Sequence, residues 1–62
     1  MIFKSYINDV EFSAADAVFF ETAIDQLIHT PAIRENLVID FENLYASSVV
    51  DGNLYEIKGE LP

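Results

Sequence analysis

The chain contains no cysteine, and this absence removes two devices that stabilise very small proteins. Disulfide bonds are excluded, and so are metal sites built from thiolates. The 62 residues make one domain at most, 1–62, and a domain of this size buries only about 60% of the surface that its unfolded chain exposes. Because such a core is marginal and 52% of the residues are apolar, we expect apolar surface to meet a second chain, for example in a homodimer.

Basic residues are scarce. Lys4, Arg34 and Lys58 oppose eleven aspartates and glutamates, which gives a formal net charge of −8. Proteins that bind DNA or RNA use Lys and Arg to neutralise phosphates, so direct binding to a nucleic acid is disfavoured. Binding to an anionic membrane surface is disfavoured for the same reason. The charge favours a partner with a basic surface, although acidic residues also keep a small apolar protein soluble.

Glycine and long apolar runs are few as well. With only Gly52 and Gly59 in the chain, a glycine-rich phosphate loop is excluded. The longest uninterrupted apolar run is Ala17 to Phe20, whereas a helix needs roughly 20 apolar residues to cross a bilayer. The first residues, MIFKSYIND, lack the apolar segment of a signal peptide. We therefore expect a cytoplasmic protein.

Residues for catalysis or metal binding are also sparse. His29 is the single histidine, and no serine stands at a spacing that would select it as a nucleophile beside that base. Glu21, Asp25 and His29 are spaced along one ridge of a predicted helix, as a divalent cation would require. One ridge supplies too few ligands, however. We predict no cofactor, no metal site and no enzymatic activity.

The first half of the chain predicts a strand followed by a helix. The loosely alternating segment MIFKSYIN is typical of a strand, and Asn8 with Asp9 suits a turn. The next segment, VEF, could extend that strand or form a second short one. Ser13 and Asp16 then resemble a capping box, which predicts a helix over 14–28. Pro31 ends that helix and suits the first position of another.

The second half can be read in two ways. In the segment LVIDFENL, a helical stripe gathers Leu37, Phe41 and Leu44, whereas a strand would place Asp40 and Glu42 beside Val38 on one face. This favours a second helix from Pro31 to about Ser48, followed by a strand in NLYEIKGEL. In the alternative, the helix stops near Ala46 and a β-hairpin crosses the Asp-Gly pair at 51–52.

The predicted fold class is therefore α+β, in a small single domain. Its order is β-α-α-β, with a helical hairpin packed on a two-stranded ribbon in which the first and last strands meet. The alternative is β-α-α-β-β, with a C-terminal hairpin across Asp51 and Gly52.

Two predicted helix faces combine apolar and acidic residues outside the buried stripes. At about 100° per residue, Ile39 falls between Glu35 and Glu42 on the second helix. Val18 falls beside Glu21 and Asp25 on the first. An apolar centre with a polar rim is typical of protein interfaces. The predicted partner-binding residues are Val18, Glu21, Asp25, Glu35, Ile39 and Glu42.

These observations predict a small protein-interaction module, an inhibitor or regulator that docks an acidic helical face on a basic surface of its partner. In the sharpest form the partner is a nucleic-acid-binding protein, and the carboxylates mimic the phosphates of DNA. Size and acidity resemble those of the small acidic inhibitors that bacteriophages encode, without a shared motif. The alternative is a structural or antitoxin-like subunit that associates with itself or another chain through Phe19, Tyr6 or a strand edge.

Overall fold

A computed structural model describes residues 1–60 of the chain. In this part of the chain, five strands form one antiparallel sheet in the order β2-β1-β5-β4-β3, with two short helices packed against one face. The predicted α+β class is confirmed, with more strands than expected. The elements are β1 (Ile2–Ile7), β2 (Val10–Asp16), α1 (Phe20–Leu27), α2 (Pro31–Glu35), β3 (Val38–Asp40), β4 (Tyr45–Val50) and β5 (Asn53–Gly59). Neither helix is long and apolar enough to cross a membrane.

Two tight turns at the same end of the sheet define its hairpins. Asn8 and Asp9 join β1 to β2 with φ values of 49° and 68°, and Asp51 and Gly52 join β4 to β5 with φ values of 52° and 78°. Positive φ at both central residues is the geometry that matches the twist of the flanking strands, and Asn, Asp and Gly adopt it at least cost. The hairpin across Asp51 and Gly52 is thus confirmed, as is the turn at Asn8 and Asp9.

The predicted start of the first helix is wrong. Ser13 does not cap a helix but lies in β2 opposite Ser5, and Ala15 lies opposite Phe3. The helix α1 begins only at Phe20. Strand pairing with β1 outweighs the capping signal of Ser13 and the helix propensity of the alanines, because propensity is a weak local term that tertiary contacts override.

The predicted length of the second helix is also wrong. Helix α2 ends at Glu35, the segment VID forms β3, and β4 begins at Tyr45. The reason is again pairing between distant residues, since Ala46 lies opposite Ile39 on one side and Ile57 on the other. As predicted, the first and last strands of the chain meet, because β1 pairs with β5. The predicted two-stranded ribbon is the centre of a larger sheet.

The core lies between the sheet and α1. Phe3 of β1 and Phe20 of α1 stack with ring centroids 5.3 Å apart. Each large side chain buried here contributes about 1.5–3 kcal/mol through the hydrophobic effect. Phe20, Ala23 and Ile24, which helical spacing places on one face of α1, are all buried. The buried apolar residues are Phe3, Ala17, Phe20, Ala23, Ile24, Ile28, Ala46 and Ile57.

The face of the sheet opposite the helices carries a polar cluster around Glu56. Because side chains alternate along a strand, Ile57 enters the core and Glu56 lies on the other face, where it is only 7% exposed. The Tyr45 hydroxyl donates a hydrogen bond to its Oε2. Lys58 Nζ lies 4.0 Å from the same oxygen and 4.9 Å from the centroid of the Tyr6 ring. The hydrogen bond to the Glu56 carboxylate raises the pKa of Tyr45 above its usual value.

Replacing Tyr45 with phenylalanine tests this cluster. The variant leaves the buried Glu56 carboxylate without its hydroxyl donor, so we expect unfolding to become easier by about 1–3 kcal/mol. Urea unfolding at neutral pH measures the change. Because the hydroxyl proton stabilises the folded state, the difference should persist below the usual tyrosine pKa and vanish as the pH rises through the raised pKa. Tyr6→Phe is the control, and an equal effect of both variants would contradict the assigned hydrogen bond.

Candidate protein-interaction surface

The structure divides the predicted partner-binding residues between two places. Asp25 and Glu35 lie near the junction of the two helices. The other four lie at the start of α1, on β3 and in the turn that follows β3. The prediction that Glu35, Ile39 and Glu42 share one helix face is wrong, because α2 ends at Glu35. Ile39 instead lies on the helix-covered face of the sheet, at its edge, and is 39% exposed. Whether these residues bind a partner stays a prediction.

An aromatic contact brings the β3–β4 turn to the start of α1. Phe20 meets Phe41 edge to face, with ring centroids 6.2 Å apart and an angle of 88°. Phe41 and Glu42 are neighbours in the turn, and Val18 to Glu21 surround the start of α1, so this contact brings the two chain segments together. We call this surface the aromatic end and define it by Val18, Phe19, Glu21, Phe41 and Glu42.

The apolar members of the aromatic end are unusually exposed. Val18 is 85% exposed, Phe19 65% and Phe41 54%. Phe19 is also the N-cap residue of α1, with extended backbone and no side-chain hydrogen bond to the helix. Ser, Thr, Asp or Asn at an N-cap contributes about 1 kcal/mol that a side chain without an acceptor does not. Phe19 therefore forgoes a capping interaction and leaves most of its ring in solvent.

The turn that carries Phe41 and Glu42 is held by side-chain hydrogen bonds. The amide of Asn43 donates to Asp40 Oδ2 at 2.7 Å, and its backbone N–H donates to Asp40 Oδ1 at 3.3 Å. These bonds favour the ionised carboxylate, and the side-chain bond is the main cause of a lowered Asp40 pKa. Leu44 closes the turn with a φ of 50°. The turn thus presents Phe41 and Glu42 in a fixed loop.

The basic side chains form ion pairs with carboxylates that lie outside the aromatic end. Lys4, Arg34 and Lys58 each approach at least one carboxylate of the chain within 4.0 Å. The two carboxylates around Lys4, chiefly that of Glu60, raise the pKa of its amine. Exposed pairs of this kind add little stability, but they occupy the cations. Within residues 1–60, neither Glu21 nor Glu42 forms an ion pair, so the rim of the aromatic end keeps its negative charge.

The helix junction has a different character. The Asp25 carboxylate accepts a hydrogen bond from the Arg34 guanidinium, which ties α1 to α2. Glu35 lies beside this pair in a shallow groove. His29 follows the end of α1, so the predicted ridge of Glu21, Asp25 and His29 is not continuous. Among residues 1–60, no three histidine, aspartate or glutamate side chains are grouped as a metal ion would require.

The predicted acidic site includes neither of the two exposed phenylalanines, Phe19 and Phe41. Helical spacing predicts Phe41 in a buried stripe, although Asp40 and Asn43 around it are typical turn residues. The sequence predicts Phe19 only as a hydrophobic contact of an associating subunit. Its position as an N-cap could not be recognised while the helix was predicted to begin at 14.

Replacing Asn43 with alanine tests the turn. Without the side-chain hydrogen bond, we expect the Asp40 pKa to rise towards its usual value, as measured by NMR titration of the carboxyl carbon. In the native chain the lowered pKa stabilises the folded state above the usual aspartate pKa, and this contribution is lost as the pH falls through the lowered pKa. Asn36→Ala removes a bond to the Ala32 carbonyl instead and serves as the control. An unchanged Asp40 pKa in Asn43→Ala would refute the assignment.

Comparisons with known proteins add no relative to this description. Protein-family models, curated proteins and solved structures gave no match to the chain.

Proposed function

We propose that this chain is a protein-interaction module, an inhibitor or regulator that docks its aromatic end on a basic surface of a partner protein. The observation that carries the proposal is the exposed Phe19 at the N-cap of α1. A residue that breaks a local rule without a compensating contact within the fold is a candidate for function. Burial of the Phe19 ring against a partner protein would supply the contact that the fold itself does not provide.

The composition of the aromatic end suits a protein interface. Its apolar centre consists of Val18, Phe19 and Phe41, and its rim contains Glu21 and Glu42. Interfaces combine an apolar core with a polar rim, and buried aromatic side chains dominate their binding energy. The fixed turn at Phe41 lowers the entropy lost on binding, because the side chain is already oriented.

Charge determines the kind of partner. The net charge is −8, and the basic side chains are engaged in pairs within the chain. A basic partner surface is attracted over several ångströms, which raises the association rate at low salt. In its most specific form, the partner is a nucleic-acid-binding protein, and the carboxylates of this chain take the place of phosphates in its groove.

A second candidate is a subunit that associates through apolar surface, as an antitoxin-like protein or an oligomer does. This candidate is supported by Val10 and Phe12 on the outer strand β2, which are 67% and 73% exposed. Here the acids serve only solubility, and binding should be insensitive to salt.

Phe19→Ser separates binding from stability. Serine is a good N-cap residue, so we expect the variant to be as stable as the native chain or about 1 kcal/mol more stable. Capture of the partner from native cells should nevertheless fall at least about tenfold, which corresponds to 1.4 kcal/mol of binding free energy. Affinity capture with immobilised chain, read by quantitative mass spectrometry, measures the binding, and thermal unfolding measures the stability.

Two charge-reversal variants test whether the partner binds at the aromatic end. Glu42→Lys and Glu35→Lys change the net charge equally, and only Glu42 belongs to the aromatic end. We expect Glu42→Lys to abolish capture and Glu35→Lys to retain most of it. Double-stranded DNA or several-fold higher salt should release the partner. Equal losses in both variants, or capture indifferent to DNA and salt, would count against the proposal.

A further inference from the structure

The face of the sheet opposite the helices carries a tyrosine on each strand beside β5. Tyr6 of β1 lies directly opposite Glu56, and Tyr45 of β4 lies directly opposite Lys58. Opposed residues on neighbouring strands have Cβ atoms about 4.5–5.5 Å apart, and Glu56 and Lys58, two residues apart on β5, point to the same face. Two phenolic side chains, one carboxylate and one amine are therefore grouped on a face that neither helix covers.

The Glu56 carboxylate in this group is incompletely paired. Burying a carboxylate is costly unless its charge is paired and its oxygens accept hydrogen bonds, and Glu56 is only 7% exposed. Oε2 accepts the hydrogen bond of the Tyr45 hydroxyl, whereas Oε1 is buried and has no hydrogen-bond partner within residues 1–60. Buried polar atoms of folded proteins nearly always have a partner. An oxygen that the described chain leaves without one suits a donor supplied from outside.

The nearest amine does not close a hydrogen bond to Glu56. Lys58 Nζ lies 4.0 Å from Oε2, whereas a charge-assisted hydrogen bond between an amine and a carboxylate spans about 2.7–2.9 Å. The same nitrogen lies 4.9 Å from the centroid of the Tyr6 ring, within the roughly 6 Å at which an aromatic face attracts a cation. The Lys58 side chain is half-exposed. Its ammonium group thus lies between a carboxylate and an aromatic ring and is free to leave.

The other lysine of the sheet is directed elsewhere. Lys4 lies opposite Lys58 across β1 and β5, but its amine lies 2.8 Å from Glu60 and 3.2 Å from Glu11. Among the ion pairs of residues 1–60, Glu56 has Lys58 as its one partner, at a distance too long for a hydrogen bond. A better placed ammonium group would therefore improve the pairing of this carboxylate.

We propose that Tyr6, Tyr45 and Glu56 form a binding site for the ammonium group of a lysine side chain on another protein. The chain's own Lys58 occupies this site when no partner is bound. The incoming ammonium group displaces the Lys58 amine, donates hydrogen bonds to the Glu56 carboxylate and lies against the Tyr6 ring. Aromatic side chains recognise ammonium groups through cation–π attraction, which adds to the ionic attraction of the carboxylate.

Charge and exposure both favour a lysine that a protein presents. The net charge of −8 attracts lysine-rich surfaces. Because neither helix covers this face of the sheet, a side chain that projects from a protein surface can reach it. The site shares no residue with the aromatic end, so it does not depend on the function proposed for that surface.

Butylammonium, an analogue of the lysine side chain, tests the site by NMR titration of the whole chain. We expect it to shift the signals of the Glu56 carboxyl carbon and the Tyr6 ring. Lys58→Met removes the competing amine and should strengthen this binding at least about tenfold, because the site is then no longer occupied from within. Lys4→Met changes the net charge equally and should alter the affinity far less. Neutral 1-butanol should leave the Glu56 signal in place.

Further variants separate the carboxylate from the ring. In the Lys58→Met background, both Glu56→Gln and Tyr6→Leu should weaken the binding of butylammonium several-fold. Tyr6→Leu keeps the carboxylate, so the ring can be tested even if Glu56→Gln does not fold. No shift with butylammonium in Lys58→Met, or equal shifts with 1-butanol, would overturn the proposal.

A short peptide tests whether the ligand is a lysine on a polypeptide. The tripeptide acetyl-Gly-Lys-Gly-amide should bind at least as tightly as butylammonium, and acetylation of its lysine amine should abolish binding. Binding of butylammonium without binding of the peptide would contradict a protein ligand. Phe19→Ser should titrate as the native chain does, so failure of this proposal and failure of the proposed partner binding are distinguishable.

Discussion

Phe20 packs between Phe3 of strand β1 and Phe41 of the β3–β4 turn. This one side chain connects the sheet, the helix and the turn, and it is only 3% exposed. The stacked contact with Phe3 fixes the start of α1 against the sheet. The edge-to-face contact with Phe41 fixes the position of the turn relative to the start of α1. The aromatic end exists because of this arrangement: Phe19 precedes the buried ring in sequence, and Glu42 follows the ring that Phe20 contacts.

The parts of the fold that depend on neighbouring residues could be predicted from the sequence. The Asp51–Gly52 turn follows from the preference of these residues for positive φ, and the buried face of α1 follows from helical periodicity. The wrong predictions concern segments whose secondary structure is decided by pairing with residues distant in sequence. Ser13 carries a capping signal, and Phe41 fits a helical stripe, but β1 and β4 supply pairing that neither signal reveals.

The candidate site was predictable in its chemistry and less so in its geometry. The segments that carry Val18, Glu21 and Glu42 are brought together by a phenylalanine contact rather than by two helix faces. Asp25, one of the predicted partner-binding residues, accepts a hydrogen bond from Arg34 across the helix junction. A single sequence does not show which acid will meet one of only three basic residues. Glu21 and Glu42 form no ion pair within residues 1–60, whereas Glu11 and Asp16 on β2 are each paired.

The alternation between Glu56 and Ile57 has a consequence for how the sheet assembles. Glu56 is bonded by Tyr45 on the open face, while Ile57 is buried against the helices on the other. If β5 slipped by one residue against its neighbours, every side chain would change face, and the carboxylate would enter the apolar core. The cost of burying an unpaired charge is far larger than the gain from an added strand contact. The central strand therefore has one acceptable alignment, and the polar cluster excludes misregistered sheets during folding.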